Sequence, residues 1–355
     1  MIHLRTTVLL ALAIVLAGCN GGGLHNEREA ASDNGDAEWL GYSDGSDSHA
    51  SLYDQGKTSA CWIYAMCVCV EHEQLRKGDS VTLSRQWLLA REMEEQTRRL
   101  HAMHRQGVRQ LMPVTDPREG FSLRGVGPEA LRLMQAYGLV PHANERSHIT
   151  TEGAAIRRLT MTAQTARTQA ELKEGIERIL PRFAVTDGSI GGNDETCDRA
   201  ESSFYDYSMR YTARQFAESI LYDQQWEFLA SVDNHAWGEH FALETPDNYR
   251  LHEYLNVPID TLVGRVMSSL RKGHAVYWEY GKPLPPTRRG SKRGGATSKH
   301  AMAIIGLTHD KKTGEEMLVC RNSYGRKWGK RGCCAVTLDY FRKHTCNVGV
   351  IKDDR

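Results

Sequence analysis

The segment Asp54-Gln55-Gly56-Lys57-Thr58-Ser59-Ala60-Cys61-Trp62 puts a cysteine where a loop runs into a long apolar stretch. Cys61 to Lys77 contains no proline or glycine and Gly78 stops the run, which predicts a mostly buried helix beginning at Cys61. Unpaired N–H groups and a partial positive charge at a helix N-terminus favour thiolate over thiol, the form that attacks an acyl carbon. Gln55, on the preceding loop, can bring its side-chain amide to the same point. With the backbone N–H of Cys61 it would form an oxyanion hole for acyl transfer. By itself, the segment fits an inert core cysteine as well as a nucleophile, because free cysteines are usually buried.

A second group of residues supplies a base. His300 opens an apolar run, Ala301 to Leu307, and a turn at Asp310-Lys311-Lys312-Thr313-Gly314 leads into Met317 to Asn322. A hairpin symmetric about Lys311 and Lys312 sets His300 opposite Ser323, next to Asn322. An asparagine there can accept the ring N–H and hold the tautomer that takes a thiol proton. A lone histidine at a strand end is ordinarily structural. Gln, Cys, His and Asn in this order weigh against that.

These groups need two kinds of element to hold them. The first half of the chain reads as helices: Cys61 to Lys77, a second capped by Ser84, one opened by Pro128 and ended by Gly138, and one from Pro258 to Gly273. From Ala275 the pattern changes to short β-branched and aromatic runs: Ala275 to Tyr280, Ala301 to Leu307, Met317 to Arg321, Cys334 to Leu338 and Asn347 to Ile351. Helices first and strands last predict an α+β fold.

Lys and Arg number 45 and Asp and Glu 44, for a formal net charge of +1. That balance argues against a nucleic-acid partner. A mean hydropathy of -0.51 excludes a polytopic membrane protein. One apolar run stands apart: Val8 to Leu16, after Arg5, is too short to span a bilayer. It closes on Leu16-Ala17-Gly18-Cys19, similar to a bacterial lipobox. Residues 1–18 are therefore expected to be a lipoprotein signal peptide, with Cys19 carrying lipid. An ordinary secretory signal would also lead out of the cytoplasm. Residues 19–50 hold seven acids between Glu27 and Asp47 against Arg28 alone, and read as a flexible acidic tether. Residues 51–355 are expected to form one folded domain on a membrane-anchored, extracytoplasmic lipoprotein.

Gln55, Cys61-Trp62, His300, Asn322-Ser323-Tyr324-Gly325, Trp328-Gly329 and Gly332 together resemble the papain-like cysteine peptidases. The chain is most similar to their bleomycin hydrolase/aminopeptidase C branch, through Cys61-Trp62-Ile63-Tyr64-Ala65, Leu83-Ser84, Ala136-Tyr137-Gly138-Leu139-Val140-Pro141, Tyr211 to Phe216 and Tyr254 to Asp260. The resemblance spans about Tyr53 to Ile351. It implies a two-lobed fold with Cys61 in a helical lobe, His300 and Asn322 in a β-rich lobe, and a cleft between them. It makes Cys61 the nucleophile, His300 the base and then the acid for the leaving amine, Asn322 the group that orients His300, and Gln55 part of the oxyanion hole. Gly125 matches the second glycine of a pair that binds substrate backbone, with Arg124 in place of the first. Tyr324 stands where the family has a tryptophan over the His–Asn bond. The expected partners are peptide or protein substrates. No cofactor or metal is expected, since thiolate and imidazole supply nucleophile and proton transfer.

That branch closes one side of its cleft with a C-terminal arm, assembles into hexameric rings, and acts as an aminopeptidase. Here only Lys352-Asp353-Asp354-Arg355 follow the last expected strand, a reach of about 14 Å at most. An open cleft, a monomer or small oligomer, and endopeptidase or broad peptidase activity are expected. A bleomycin-hydrolase-type aminopeptidase and a catalytically silent binding lipoprotein are the alternatives. Seven of the nine cysteines remain after Cys19 and Cys61, so at least one is unpaired in a monomer. Cys67 and Cys69 suit core positions. Cys320, Cys333, Cys334 and Cys346 with His344 match no standard zinc spacing. Lys282 to Lys299, with Arg288, Arg289, Lys292, Arg293 and no acid, reads as a solvated loop near the cleft, with a role in specificity as the alternative.

Overall fold

The apolar run after Ala60 forms helix α1 (Cys61–Arg76), buried on every side from Cys61 to Val70. A helix apolar all round has to sit inside its lobe, with other elements packed about it. The computed structural model describes residues 54–107, 121–183, 203–206, 209–243, 245, 247, 250–283 and 297–352. The expected leader and tether, with Cys19, lie outside the described residues, as does 284–296 of the basic stretch.

Around α1 stand α2 (Arg85–Arg105), α3 (Gly127–Tyr137), α4 (Glu152–Thr165) and α5 (Gln169–Glu177). The Ser84 hydroxyl accepts the Trp87 N–H at 3.0 Å and starts α2. Pro128 occupies the first turn of α3, and Gly138 ends that helix at a φ of 75°. A hairpin of β1 (Ser203–Asp206) and β2 (Met209–Thr212) leads into α6 (Ala213–Leu221), which opens on a Thr212/Gln215 capping box. Arg85 ties α2 to α1 by gripping both Glu71 oxygens, at 2.5 and 2.6 Å. Removing one partner of so buried a pair costs about 3–5 kcal/mol.

The second half is a sheet. Its strands are β3 (Trp226–Ala230), β4 (His240–Ala242), β5 (Glu253–Asn256), β6 (Val276–Pro283), β7 (Thr297–His309), β8 (Glu316–Arg321), β9 (Cys333–Thr337) and β10 (Thr345–Ile351). They lie in the order β4-β5-β3-β10-β6-β7-β8-β9, antiparallel except for β3 with β5. Two helices, α7 (Ile259–Arg271) and α8 (Leu338–His344), complete the chain. Alternation along the strands divides the core. Ala301, Ala303 and Ile305 of β7 with Tyr277 of β6 pack toward α1, whereas Met302, Ile304 and Trp278 pack with Leu262, Val266 and Leu270 of α7. The sheet thus carries a helical layer on each face, and its α1 face looks at Cys61. Glu73 fixes the approach: its carboxylate meets His274 Nδ1 at 2.9 Å and the Ala275 N–H at 3.3 Å, pinning α1 to the start of β6.

The α+β order expected from sequence is the order found, with three local corrections. His300 lies inside β7 and not at its start, because Thr297 to Lys299 pair with β6 ahead of it. Leu338 begins α8 and does not end β9, since the Thr337 hydroxyl caps a helix there. The β7–β8 ladder departs from the symmetric register by two residues beside the turn, where Leu307 pairs Leu318, and by one beyond the irregularity between Ile304 and Gly306, where Ala303 pairs Arg321. Continued, this register puts Tyr324 and not Ser323 opposite His300. None of the described helices is long and apolar enough to cross a membrane.

Candidate active site

The loop before α1 is held from three directions. Gly56 at φ +60° lies so close to Thr150 that a Cβ would be 2.5 Å from its carbonyl oxygen, and Lys57 N–H donates to that oxygen at 2.7 Å. The Glu152 carboxylate accepts the Ser59 N–H at 2.6 Å and its hydroxyl at 3.0 Å. Gln55 N–H donates to Ser323 O at 2.9 Å, which fastens the helical lobe to the residue after Asn322. These contacts fix Cys61 at the first position of α1.

The imidazole of His300 is buried at 3% exposure and has distinct neighbours at its two nitrogens. Nε2 donates to Asn322 Oδ1 at 2.8 Å, and that oxygen also accepts the Ser323 N–H at 2.7 Å. An amide oxygen already holding a backbone N–H is fixed as an acceptor, so the ring proton belongs on Nε2. Nδ1 makes no hydrogen bond and is left as the basic nitrogen. Tyr324 stacks on the ring with centroids 4.8 Å apart, and Tyr280 meets it edge-on at 5.8 Å. Both aromatics keep water from the His300–Asn322 pair, and Trp328 backs Tyr324 at 6.1 Å.

One cleft cavity joins the two lobes. Ser59, Cys61, Trp62, Arg124 and Gly125 line it from the helical side. His300, Lys299, Ala301, Glu279 and Asp247 line the other. Cys61 and His300 therefore face one cavity from opposite sides. Gly125 fits because a Cβ there would lie 2.5 Å from the Trp62 ring, which is itself anchored by its Nε1–H to Leu123 O at 2.9 Å. Gln55 is buried and is not among the residues lining the cavity. Its Nε2 donates one hydrogen to Thr58 O at 2.5 Å and its Oε1 accepts the Ser323 hydroxyl, leaving the second amide hydrogen for an oxyanion. Tyr324 lies over His300 and is not among the residues lining the cavity.

Sequence reasoning brought out Cys61, His300, Asn322, Gln55, Gly125 and Tyr324, named Lys299 as the end of the basic stretch near the cleft, and passed over Glu279, Asp247 and Glu152. The available signal for Glu279 was a single acid inside the apolar strand Tyr277-Trp278-Glu279-Tyr280. Burial, with Asp247 adding to it, pushes the Glu279 carboxyl up, and Lys299 draws it partly back. The seven described cysteines form no disulfide. Burial pushes the Cys67 thiol up to about 12 and Cys346 to about 11, and lifts Cys69 and Cys320 well above the ordinary thiol range. Among the described residues, the carboxylate cluster close enough to hold a cation is Glu92, Glu95 and Glu129. Arg132 and Arg250 fill it by pairing with both Glu95 and Glu129, and His252 joins Glu129 at 2.6 Å.

No protein-family model matches the chain, and no curated protein sequence matches it. Solved structures do. PepW from Lactobacillus rhamnosis HN001 superposes with a TM-score of 0.53 at 15% identity, covering 84% of this chain and 79% of that one. Xylellain, a cysteine protease from Xylella fastidiosa, gives 0.39 at 12% identity over 85% and 82%. The bromelain protease from Ananas comosus gives 0.37 at 13% identity over 85% and 92%. The chain has the papain-like cysteine peptidase fold: a helical lobe with the cysteine helix set against a β-rich lobe.

Proposed function

We propose that this protein is a cysteine peptidase that hydrolyses peptide bonds outside the cytoplasm. The observation that carries the reading is the division of labour on His300, with Nε2 held by Asn322 at 2.8 Å and Nδ1 unbonded in the cavity that Cys61 lines. Nδ1 takes the Cys61 proton, and the thiolate attacks the scissile carbonyl carbon. The oxyanion is met by the Cys61 N–H and the free hydrogen of the Gln55 amide. Imidazolium then protonates the leaving amine, and water attacks the thioester with His300 as base. Gly125 offers backbone to the substrate. β10 starts beside Tyr280, the pairing partner of His300, and carries the chain away to Ile351 opposite Trp226. The activity is read as that of an endopeptidase or broad peptidase, with a bleomycin-hydrolase-type aminopeptidase as the alternative.

Alkylation by a thiol-directed peptide analogue at pH 7 tests the reading. A thiol with a pKa near 11 is about 10⁻⁴ thiolate at that pH, against a few per cent for an ordinary one. Buried Cys67, Cys69, Cys320 and Cys346 should thus be silent, and an adduct should form on Cys61 and vanish in Cys61→Ala. A wild-type protein left unlabelled at Cys61 would be a silent scaffold. The lipid anchor at Cys19 belongs to the same reading. In a detergent phase separation the wild type should enter the detergent phase and Cys19→Ser should not; an aqueous wild type ends the lipoprotein proposal.

A further inference from the structure

Beside the nucleophile the cleft holds charges that the peptidase chemistry does not use. Glu279 and Lys299 share the strand faces that look toward α1, since Glu279 pairs with Ala301 across β6 and β7. Both side chains line the cavity with Cys61 and His300. Glu279 is 2% exposed, and its Oε1 makes no hydrogen bond. Lys299 Nζ, itself buried, is the ion-pair partner of that oxygen at 3.6 Å, longer than a direct hydrogen bond. The remaining groups near the carboxylate are the Tyr277 hydroxyl at 3.4 Å from Oε2, Asn347 opposite it on β10, and Asp247, itself buried. A buried carboxylate held by an ion pair too long for a hydrogen bond is incompletely satisfied, and a closer cationic donor in the cavity would complete it.

Which charge that partner carries follows from what can move. Glu279 is fixed on a central strand. The Lys299 side chain is 23% exposed and sits on a flexible stem, so its ammonium can swing into water at small cost. A cation entering the cavity can take its place. An anion would instead have to draw Lys299 off Glu279 and leave the buried carboxylate unpaired. Arg124, on the opposite wall, balances Asp247 in the formal charge of the cavity.

We propose that Glu279 selects substrates carrying a cationic group, an ammonium or guanidinium, beside the scissile bond, with Lys299 holding the carboxylate until the substrate cation displaces it. The proposal rests on the peptidase reading above and names the substrate class of that site. An arginine or lysine side chain and a free α-amine are the two sources of such a cation, and on the endopeptidase reading the side chain is the one expected.

The test uses the full chain and sets of N-acetylated peptides in which arginine is exchanged for its uncharged isostere citrulline, one position at a time. At one position arginine should raise kcat/KM by on the order of tenfold to a hundredfold, the usual worth of a hydrogen-bonded charge pair. Glu279→Gln should bring that ratio toward one, and Lys299→Met, which leaves the carboxylate in place, should raise it. Because the two variants move the ratio in opposite directions, misfolding of one cannot imitate the result. Unacetylated citrulline peptides form the second arm: a preference for them that Glu279→Gln removes assigns the carboxylate to the α-amine. Ratios that neither variant changes overturn the proposal. Calorimetry of the same peptides on Cys61→Ala separates it from the peptidase reading. Binding that prefers the cation and is lost on adding Glu279→Gln, without hydrolysis by the wild type, sinks the peptidase and keeps the subsite. Hydrolysis with no preference for either cation does the reverse.

Discussion

Peptide hydrolysis by Cys61→Ala is expected to fall by on the order of 10⁵- to 10⁶-fold, to the level that binding and the oxyanion hole supply without a nucleophile. His300→Ala should fall about as far, and the double variant no further, because the thiolate and its base act as one unit. Asn322→Ala should keep a measurable remainder. It loses the 2.8 Å bond to Nε2 and with it the tautomer, but Tyr324 and Tyr280 still hold the ring. A loss of about 10²- to 10⁴-fold fits an orienting group of this kind. Gln55→Ala should lose about 10²- to 10³-fold in kcat, the cost of one oxyanion donor. Gln55 also fastens the cysteine loop to Ser323, so its variant should show a lowered denaturation midpoint that Cys61→Ala does not. Single-turnover kinetics on a chromogenic peptide measures all four. Wild-type turnover by Cys61→Ala ends the cysteine-peptidase reading.

The reactive groups were easier to see in the sequence than the site around them. Cys61 could be placed because helix punctuation is local: the apolar run and Gly78 mark α1, and Ser84, Pro128, Gly138 and Gly273 mark others through their own backbone chemistry. His300 and Asn322 could be brought near one another because a hairpin is also local, but its register missed by one residue. The offset is two residues at the turn, and the irregularity between Ile304 and Gly306 takes one of them back; a bulge has no sequence mark beyond a glycine that many strands tolerate. β3 could not be read: Trp226 to Ala230 is a strand because β10, far along the chain, pairs with it. Glu279 escaped notice for the same reason. A strand acid reads as an exposed position until the topology lays β6 beside β7 and turns that face toward Cys61. Such positions depend on long-range pairing, which neither periodicity nor spacing encodes.

An N-acetylated peptide and its free-amine twin should be hydrolysed at comparable rates, with cleavage inside the peptide. The comparison has a large dynamic range. A site built to bind an α-ammonium leaves its own buried polar groups unpaired when that amine is capped, which rejects the blocked substrate by on the order of 10⁴-fold. Among the described residues, the cavity is walled by the start of α1, the 124–125 segment, Asp247, β6 and β7, and no residue of β10 contributes. β10 passes His300 at its beginning, where Thr345 pairs with Tyr280, and Lys352 is bonded to Gln225 at the other end of the strand. Among the described residues, β10 does not enter the cavity that Cys61 and Gly125 line. Among the described residues lining the cavity, the carboxylates of Glu279 and Asp247 are the groups that could hold a substrate amine in the manner of an aminopeptidase, and the Glu279 variant tells them apart. Mass spectrometry of the products decides it. Internal cleavage of the blocked peptide supports the endopeptidase, whereas residue-by-residue release confined to the free-amine peptide, and lost in Glu279→Gln, returns the protein to the aminopeptidase class.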